Sequence, residues 1–208
     1  MPEGIQEAQI QAEETEPKIA KGGDEKKDEF KKKIIALLSD GRSLVFLDEC
    51  HFYQRGTRIR TWYPPEDRDP FVFQEPGRKG ISVFGAISIS DGKLFTKIAE
   101  KYNSMTFLEF LCIVHSKFPN STVVLDNALY HHASVVMEFA FLTGMDLLFL
   151  PPYSPELNPI ERVWKLVRKH ATHNRYFEML SNLSGALKNE FNRYVRPNEE
   201  LKKLCVIN

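Results

Sequence analysis

Apolar and polar positions change rhythm several times along this chain, and each change predicts an element. In DEKKDEFKKKIIALL (24–38), Phe30, Ile34 and Leu37/Leu38 recur at helical spacing while the lysines occupy the opposite face, so a short amphipathic helix is expected. SLVFLD (43–48) is a compact apolar run with β-branched and aromatic members, and it reads as a buried strand that ends on an acid. TRIRTWY (57–63) alternates as a strand does, and ISVFGAIS (81–88) and KLFTKIA (93–99) flank Ser90-Asp91-Gly92, a hairpin turn signal. PPEDRDPFVFQEPGRKG, rich in proline, glycine and charge, reads as the loop between them. An antiparallel arrangement of three early strands follows.

After residue 105 the pattern alternates between helix and strand. TFLEFLCIVHSKF (106–118) is helical, STVVLD (121–126) is a buried strand, SVVMEFAFLTG (134–144) is helical and MDLLFL (145–150) is strand-like again. Strands alternating with helices imply parallel pairing. Two helices close the chain, one from Pro159 to His173 with Ile160, Val163, Trp164 and Val167 as its buried stripe. The other carries Phe177, Leu180, Leu183, Leu187, Phe191 and Tyr194 on one face before Pro197. The expectation is a mixed α/β domain: an antiparallel three-strand meander running into αβαβ, with helices on both faces of the sheet.

Composition narrows the class. At 208 residues and 42% hydrophobic, the chain suits one domain with a real core. Residues 1–23 are polar and acidic and end in Gly22-Gly23, so they read as a leader that builds no core. The expected division is a leader and short helix at 1–39, a main domain at 40–195 and a tail at 196–208. Twenty-eight Lys+Arg balance twenty-eight Asp+Glu, so net charge neither demands nor excludes a nucleic-acid partner. Cys50, Cys112 and Cys205 are odd in number and lack CxxC spacing, which argues against a disulfide framework or structural zinc and suits a reducing cytoplasm. No apolar window is long enough to span a bilayer and the N-terminus lacks a signal-peptide plan, so no membrane role is expected.

The candidate chemistry lies in the acids that end apolar strands. If 43–48 and 121–126 are parallel neighbours, Asp48 and Asp126 emerge together at the C-terminal edge of the sheet, where open α/β sheets place their sites. Two such carboxylates repel one another unless one is protonated or a cation sits between them, and hard oxygens suit Mg²⁺ or Mn²⁺. A single Asp at a strand end would only begin a turn. Glu161 also has a local explanation, because Asn158-Pro159-Ile160-Glu161 resembles a capping box with Asn158 as N-cap. Capping does not explain the stiff approach LPPYSP (150–155), which leads from a strand on the same sheet edge. Lys165 and Arg168 share the side of Glu161 and would make a phosphate-facing surface, whereas Glu156 reads as a loop residue.

FLDEC (46–50), VVLDNALYHHA (124–133) and LPPYSPELNPIERVWKLVR (150–168) together resemble the three acidic motifs of the DDE transposases of the mariner superfamily, especially its bacterial insertion-sequence branch. Thirty-four residues separate Asp126 from Glu161, a spacing that family uses. The resemblance covers about 40–195 and implies a ribonuclease-H-like fold, with Asp48, Asp126 and Glu161 as metal-binding catalytic acids. It further implies two Mg²⁺ or Mn²⁺ ions per site, bound to cut DNA and transfer strands. Asn127 and His131 match polar positions after the second acid and are expected to orient a phosphate or a metal ligand. Arg58, Arg60, Lys165 and Arg168, together with Arg55, Lys169 and Arg175, are expected along the DNA backbone. Expected partners are transposon-end and target DNA, a second copy in a homodimer, and a helix-turn-helix half encoded separately, unless this is a truncated copy; the place of action would be the nucleoid. A nuclease of the same fold that only hydrolyses, or a non-catalytic DNA-binding remnant, would share the same acids.

Overall fold

A computed structural model describes residues 22–58 and 79–207. Its sheet has five strands in the order β3-β2-β1-β4-β5. β1 (Ser43–Tyr53), β2 (Gly80–Ser88) and β3 (Leu94–Ala99) pair antiparallel, as the meander predicts. β4 (Ser121–Leu125) and β5 (Asp146–Phe149) continue the sheet in parallel on the other side of β1. Parallel neighbours need a crossover. It is supplied by α2 (Ser104–Lys117) before β4 and by α3 (Ser134–Thr143) before β5.

Strand alternation sorts the core into two layers. Leu44, Phe46, Cys50 and Phe52 of β1 face α1 (Gly22–Ser39), α4 (Ile160–Val167) and α5 (Leu180–Asn192), where Phe30, Ile34, Trp164 and Phe191 meet them. Val45 and Leu47 face the other way, toward Phe107 and Phe110 of α2 and Val136 of α3. Helices therefore cover both faces, and every central strand is buried on both sides.

Several details depart from the sequence expectations. β1 does not stop at Asp48. Its antiparallel partner continues, pairing Asp48 with Gly85 and Tyr53 with Gly80, while the parallel pairing to β4 ends at Phe46 and Val124. Beyond β1 the chain is clamped to the segment after α4: Arg55 bridges Tyr176 and the Gly56 amide donates to the Arg175 carbonyl. A Cβ on Gly56 would lie 1.7 Å from the Thr172 carbonyl oxygen, so only glycine permits this approach. Of the strand expected at 57–63, residues 57 and 58 are not strand and the rest lie outside the described residues, as do residues 1–21 of the expected leader. Gly22 and Gly23 open α1. The single helix expected from Pro159 to His173 is α4 followed by a π turn at Arg168–Thr172. Phe177 precedes α5, and Leu180, its first residue, is 38% exposed rather than on the buried face.

The chain end forms a helix that the pattern did not announce. Asn198 caps α6 (Glu199–Leu204) by accepting the Leu201 amide, and Leu201 and Cys205 are fully buried. The Asn198 amide donates to the Asp91 carbonyl, against the hairpin turn where Gly92 has φ +69°. No helix among the described residues is long and apolar enough to cross a membrane.

Candidate active site

Sheet register brings the first two acids level. Phe46 and Val124 are Cα partners, and Asp48 and Asp126 each lie two residues further along their chains. Glu161 arrives from the first turn of α4. All three acids line one cavity of about 490 Å³, walled by Asn127, Asn158 and the loop from Leu150 to Pro155. Glu161 also borders a neighbouring cavity of about 610 Å³ that it shares with Arg162 and Lys165.

Asp48 is strongly perturbed. Burial pushes its carboxyl up to about 8, and the nearby charges of Glu49 and Glu161 push the same way. The larger opposing influence is the Trp164 indole N–H, which donates to Asp48 Oδ2 at 2.9 Å; a backbone hydrogen bond from Glu49 acts the same way. Trp164 is expected in the core from its place in the α4 stripe and is 1% exposed there, so its N–H needs a buried acceptor. Gly85, the β2 partner of Asp48, makes room for it: a Cβ at Gly85 would fall 2.3 Å from the indole Cη2.

Asp126 is pushed in the opposite direction. Its side chain accepts the Ala128 amide at 3.0 Å and the His131 Nδ1–H at 2.9 Å, and the His131 bond chiefly holds it below the usual carboxylate range against the effect of burial. Burial alone would lower the His131 pKa, but hydrogen bonds to Asp126 and Glu49 outweigh it and raise it to about 9. The imidazolium then has an N–H for each neighbour, with Nε2 lying 3.1 Å from Glu49 Oε1. Glu49, Asp126 and His131 place their ligand atoms within 4.8 Å of one another, a tighter group that shares only Asp126 with the cavity acids.

The stiff loop does lead Glu161 to the cavity, but not by the expected capping. Leu150 extends the pairing of β4 and β5 by donating to Leu125, and a 3₁₀ turn at Pro155–Leu157 buries Leu157 before α4 begins. The Asn158 side chain makes no cap bond; its Nδ2 donates to the Leu47 carbonyl at 3.1 Å. A buried carbonyl in the strand outcompetes the helix terminus for this amide, and it ties the loop to the backbone next to Asp48. Asn158 is 3% exposed and its Oδ1 has no partner among the described residues, beside the acids. Glu156, read from the sequence as a loop residue, lies in that 3₁₀ turn and pairs with Lys27 at 2.7 Å.

The remaining predicted positions separate. Asn127 donates to the Leu150 carbonyl and ties the exits of β4 and β5 while lining the cavity. Lys165 is exposed beside Glu161, and Arg58 is exposed just beyond β1. Arg168 turns inward instead: its Nη2 lies 2.8 Å from Cys50 Sγ and its guanidinium covers the Phe52 ring. Arg60 lies outside the described residues. Three contributors escaped the sequence reading: Glu49, the Asp48 bond of Trp164, and the Asn158 tie. Strand alternation signals that Glu49 faces away from Asp48, but not what it meets there.

Chemically, the cavity collects hard oxygen donors around a carboxyl that stays protonated near neutrality without a cation. Three carboxylates and the unpartnered Asn158 oxygen fit a divalent ion of the Mg²⁺ or Mn²⁺ type, whose charge would draw Asp48 into its ionised form.

A family model described as DDE superfamily endonuclease matches residues 43–184. The Tc3 transposase of Caenorhabditis elegans is 26% identical over 166 residues, covering 76% of this chain and 47% of that protein. An uncharacterized protein of Sinorhizobium fredii is 30% identical over 99 residues, 46% of this chain and 71% of that one. Among solved structures, the Mos1 transposase paired-end complex with left transposon end superposes with a TM-score of 0.71 at 15% identity, covering 98% of this chain and 62% of that chain. The Mos1 mariner paired-end complex with Mn gives 0.70 at 16% identity, over 97% and 63% of the two chains. The shared architecture is the expected ribonuclease-H-like α/β fold. This chain spans about half the length of the Tc3 relative and about three-fifths of the Mos1 chain.

Proposed function

Because this chain belongs to the DDE superfamily endonucleases, we propose that it forms the catalytic domain of a mariner-type DNA transposase, with Asp48, Asp126 and Glu161 holding two Mg²⁺ or Mn²⁺ ions. The observation that carries the reading is that three acids from β1, the exit of β4 and the start of α4 line one cavity. The complexes of Mos1 with Mn and with Mg support the choice of metals.

When bound, the two ions would supply the Lewis acidity that activates an attacking water and stabilises the leaving oxygen of a phosphodiester. The chain itself supplies position. Trp164 holds one oxygen of Asp48, His131 and the Ala128 amide hold Asp126, and the Asn158 tie sets the start of the helix that carries Glu161. Lys165, beside Glu161, and Arg58 would hold the DNA backbone as electrostatic contacts. In strand transfer a DNA 3′-hydroxyl replaces water as nucleophile, so the same acids serve both steps and no covalent protein intermediate forms. Recognition of transposon ends by a helix-turn-helix half and pairing of two copies belong to the same proposal.

The test is nicking of element-end duplex DNA by the full chain with Mg²⁺ or Mn²⁺. Wild type should nick, and Asp126→Ala and Glu161→Ala should not; a wild type no faster than either variant refutes the assignment. A pre-cut end with a free 3′-hydroxyl separates transfer from hydrolysis, since only a transposase joins it to target DNA. Light scattering with DNA present checks for the dimer.

A further inference from the structure

Glu49 follows Asp48 in β1 and therefore faces the opposite side of the sheet. Asp48 meets Trp164 of α4, whereas Glu49 reaches the turn at Leu129–His132 under α2. There Glu49 Oε1 lies 3.1 Å from His131 Nε2. The other ring nitrogen, Nδ1, lies 2.9 Å from Asp126 Oδ1 and 3.2 Å from the Asp126 carbonyl. His131 is 1% exposed and packs against Phe107 and Tyr130, with ring centroids 4.2 and 4.5 Å away. Burial and the neighbouring Glu49 carboxylate push the pKa of the Tyr130 hydroxyl up.

Such a cluster could be a cation site or a hydrogen-bonded relay, and the placement of the two carboxylates around the ring decides. Contacts of 2.9 and 3.1 Å are hydrogen-bond lengths. Asp126 and Glu49 meet opposite nitrogens of the ring, so a single ion could not lie between the ring and both carboxylates, whereas a relay uses both nitrogens at once. The cluster is a relay.

Resting on the metal-site reading above, we propose that Glu49 is a positioning residue for that site, acting through His131 to hold the Asp126 carboxylate in one orientation. Asp126 needs such a hold, because it stands just beyond β4 with its side chain 50% exposed. The imidazole can aim Nδ1–H at Asp126 only while its own rotation is blocked, and Glu49 blocks it from the far nitrogen. Glu49 rides on the central strand of the sheet, where it is the register partner of Phe84 in β2. One strand thus supplies Asp48 directly from its front face and governs Asp126 from its back face. The relay keeps the two aspartates in fixed relation.

The test compares the full chain as wild type, Glu49→Gln, Glu49→Asp, His131→Gln and the Glu49→Gln/His131→Gln double variant. Mn²⁺ affinity is read by electron paramagnetic resonance of the free ion, exchange of the His131 ring N–H protons by ¹H–¹⁵N spectra of metal-free protein, and folding by thermal melts. Glu49→Gln should weaken Mn²⁺ binding about tenfold, the scale on which partners of metal ligands act, and speed exchange of the Nδ1–H by a similar factor. Glu49→Asp, which keeps the charge but shortens the reach, should do the same and serves if the glutamine variant does not fold. Adding Glu49→Gln to His131→Gln should change Mn²⁺ affinity by less than about twofold, because the path is already cut. Unchanged exchange in the folded glutamate variants, or losses that multiply in the double variant, overturns the proposal. If wild type binds no Mn²⁺, the metal-site reading falls, and proton exchange still decides whether Glu49 acts on Asp126 through the ring.

Discussion

Replacing Asp48 by asparagine should make the metal-free protein more stable, by an amount that grows with pH. The folded state holds the Asp48 carboxyl at about 8, while the unfolded chain releases that proton near the ordinary value of 3.8. Below the unfolded value both states are protonated and the group costs nothing. As pH rises from there the unfolded chain binds fewer protons than the folded one, so stability falls until the folded group also titrates near 8. Each pH unit within that window is worth about 1.4 kcal/mol, so moving from about pH 5 to about pH 7.5 removes about 3 kcal/mol from wild type through this group. The Asp48→Asn side chain has no such proton to keep and still offers an oxygen to the Trp164 indole. Urea unfolding with a chelator at the two pH values measures the difference. The advantage of the variant should widen by about 3 kcal/mol between them. An advantage that stays constant to within about 0.5 kcal/mol, or shrinks with pH, would refute a buried protonated carboxyl. Mg²⁺ at about a hundred times its dissociation constant should add about 2.7 kcal/mol to wild type and nothing to the variant, which should not nick DNA.

Four other outcomes follow from named contacts. Gly85→Ala should displace the Trp164 ring, lowering stability by about 1–3 kcal/mol in denaturant melts and slowing nicking, because the added Cβ would sit 2.3 Å from the indole. Asn158→Leu should cost about 1–3 kcal/mol by orphaning the Leu47 carbonyl, measured by the same melts. Leu201→Ala should cost about 2–5 kcal/mol, since that side chain of α6 is fully buried. Lys165→Ala should reduce the salt slope of DNA binding by about one, whereas Arg168→Ala should leave the slope unchanged and lower stability, since its guanidinium packs on Cys50 and Phe52.

Much of the fold was legible because its signals are local. A strand buried on both faces must be an apolar run, and STVVL is one that became β4 with all five residues buried. An amphipathic helix must repeat near 3.6, and Ile160, Val163, Trp164 and Val167 became the buried stripe of α4. Where local and distant partners compete, the local rule failed. Asn158 fits an N-cap, yet its amide goes to Leu47, one hundred and eleven residues away. β1 reads as ending at Asp48, yet its pairing with β2 carries it to Tyr53. EELKKL (199–204) lies in the expected tail, and became a helix only because Leu201 and Cys205 found a core to enter.

The sequence by itself determined most of the helices and strands, and which acids follow apolar runs, because periodicity records burial along the chain. It also carried the three acidic motifs and their spacing. Only the tertiary structure decided what each acid would experience. Burial, with the charges of Glu49 and Glu161, raises one aspartate to about 8 against the pull of a tryptophan N–H from a distant helix, and a histidine clamp holds the other low. Glu49 stands beside Asp48 in the chain but serves the opposite face of the sheet. Hydrogen-bond partners and local dielectric act through space, and no pattern along a single chain states which residues a fold will bring face to face.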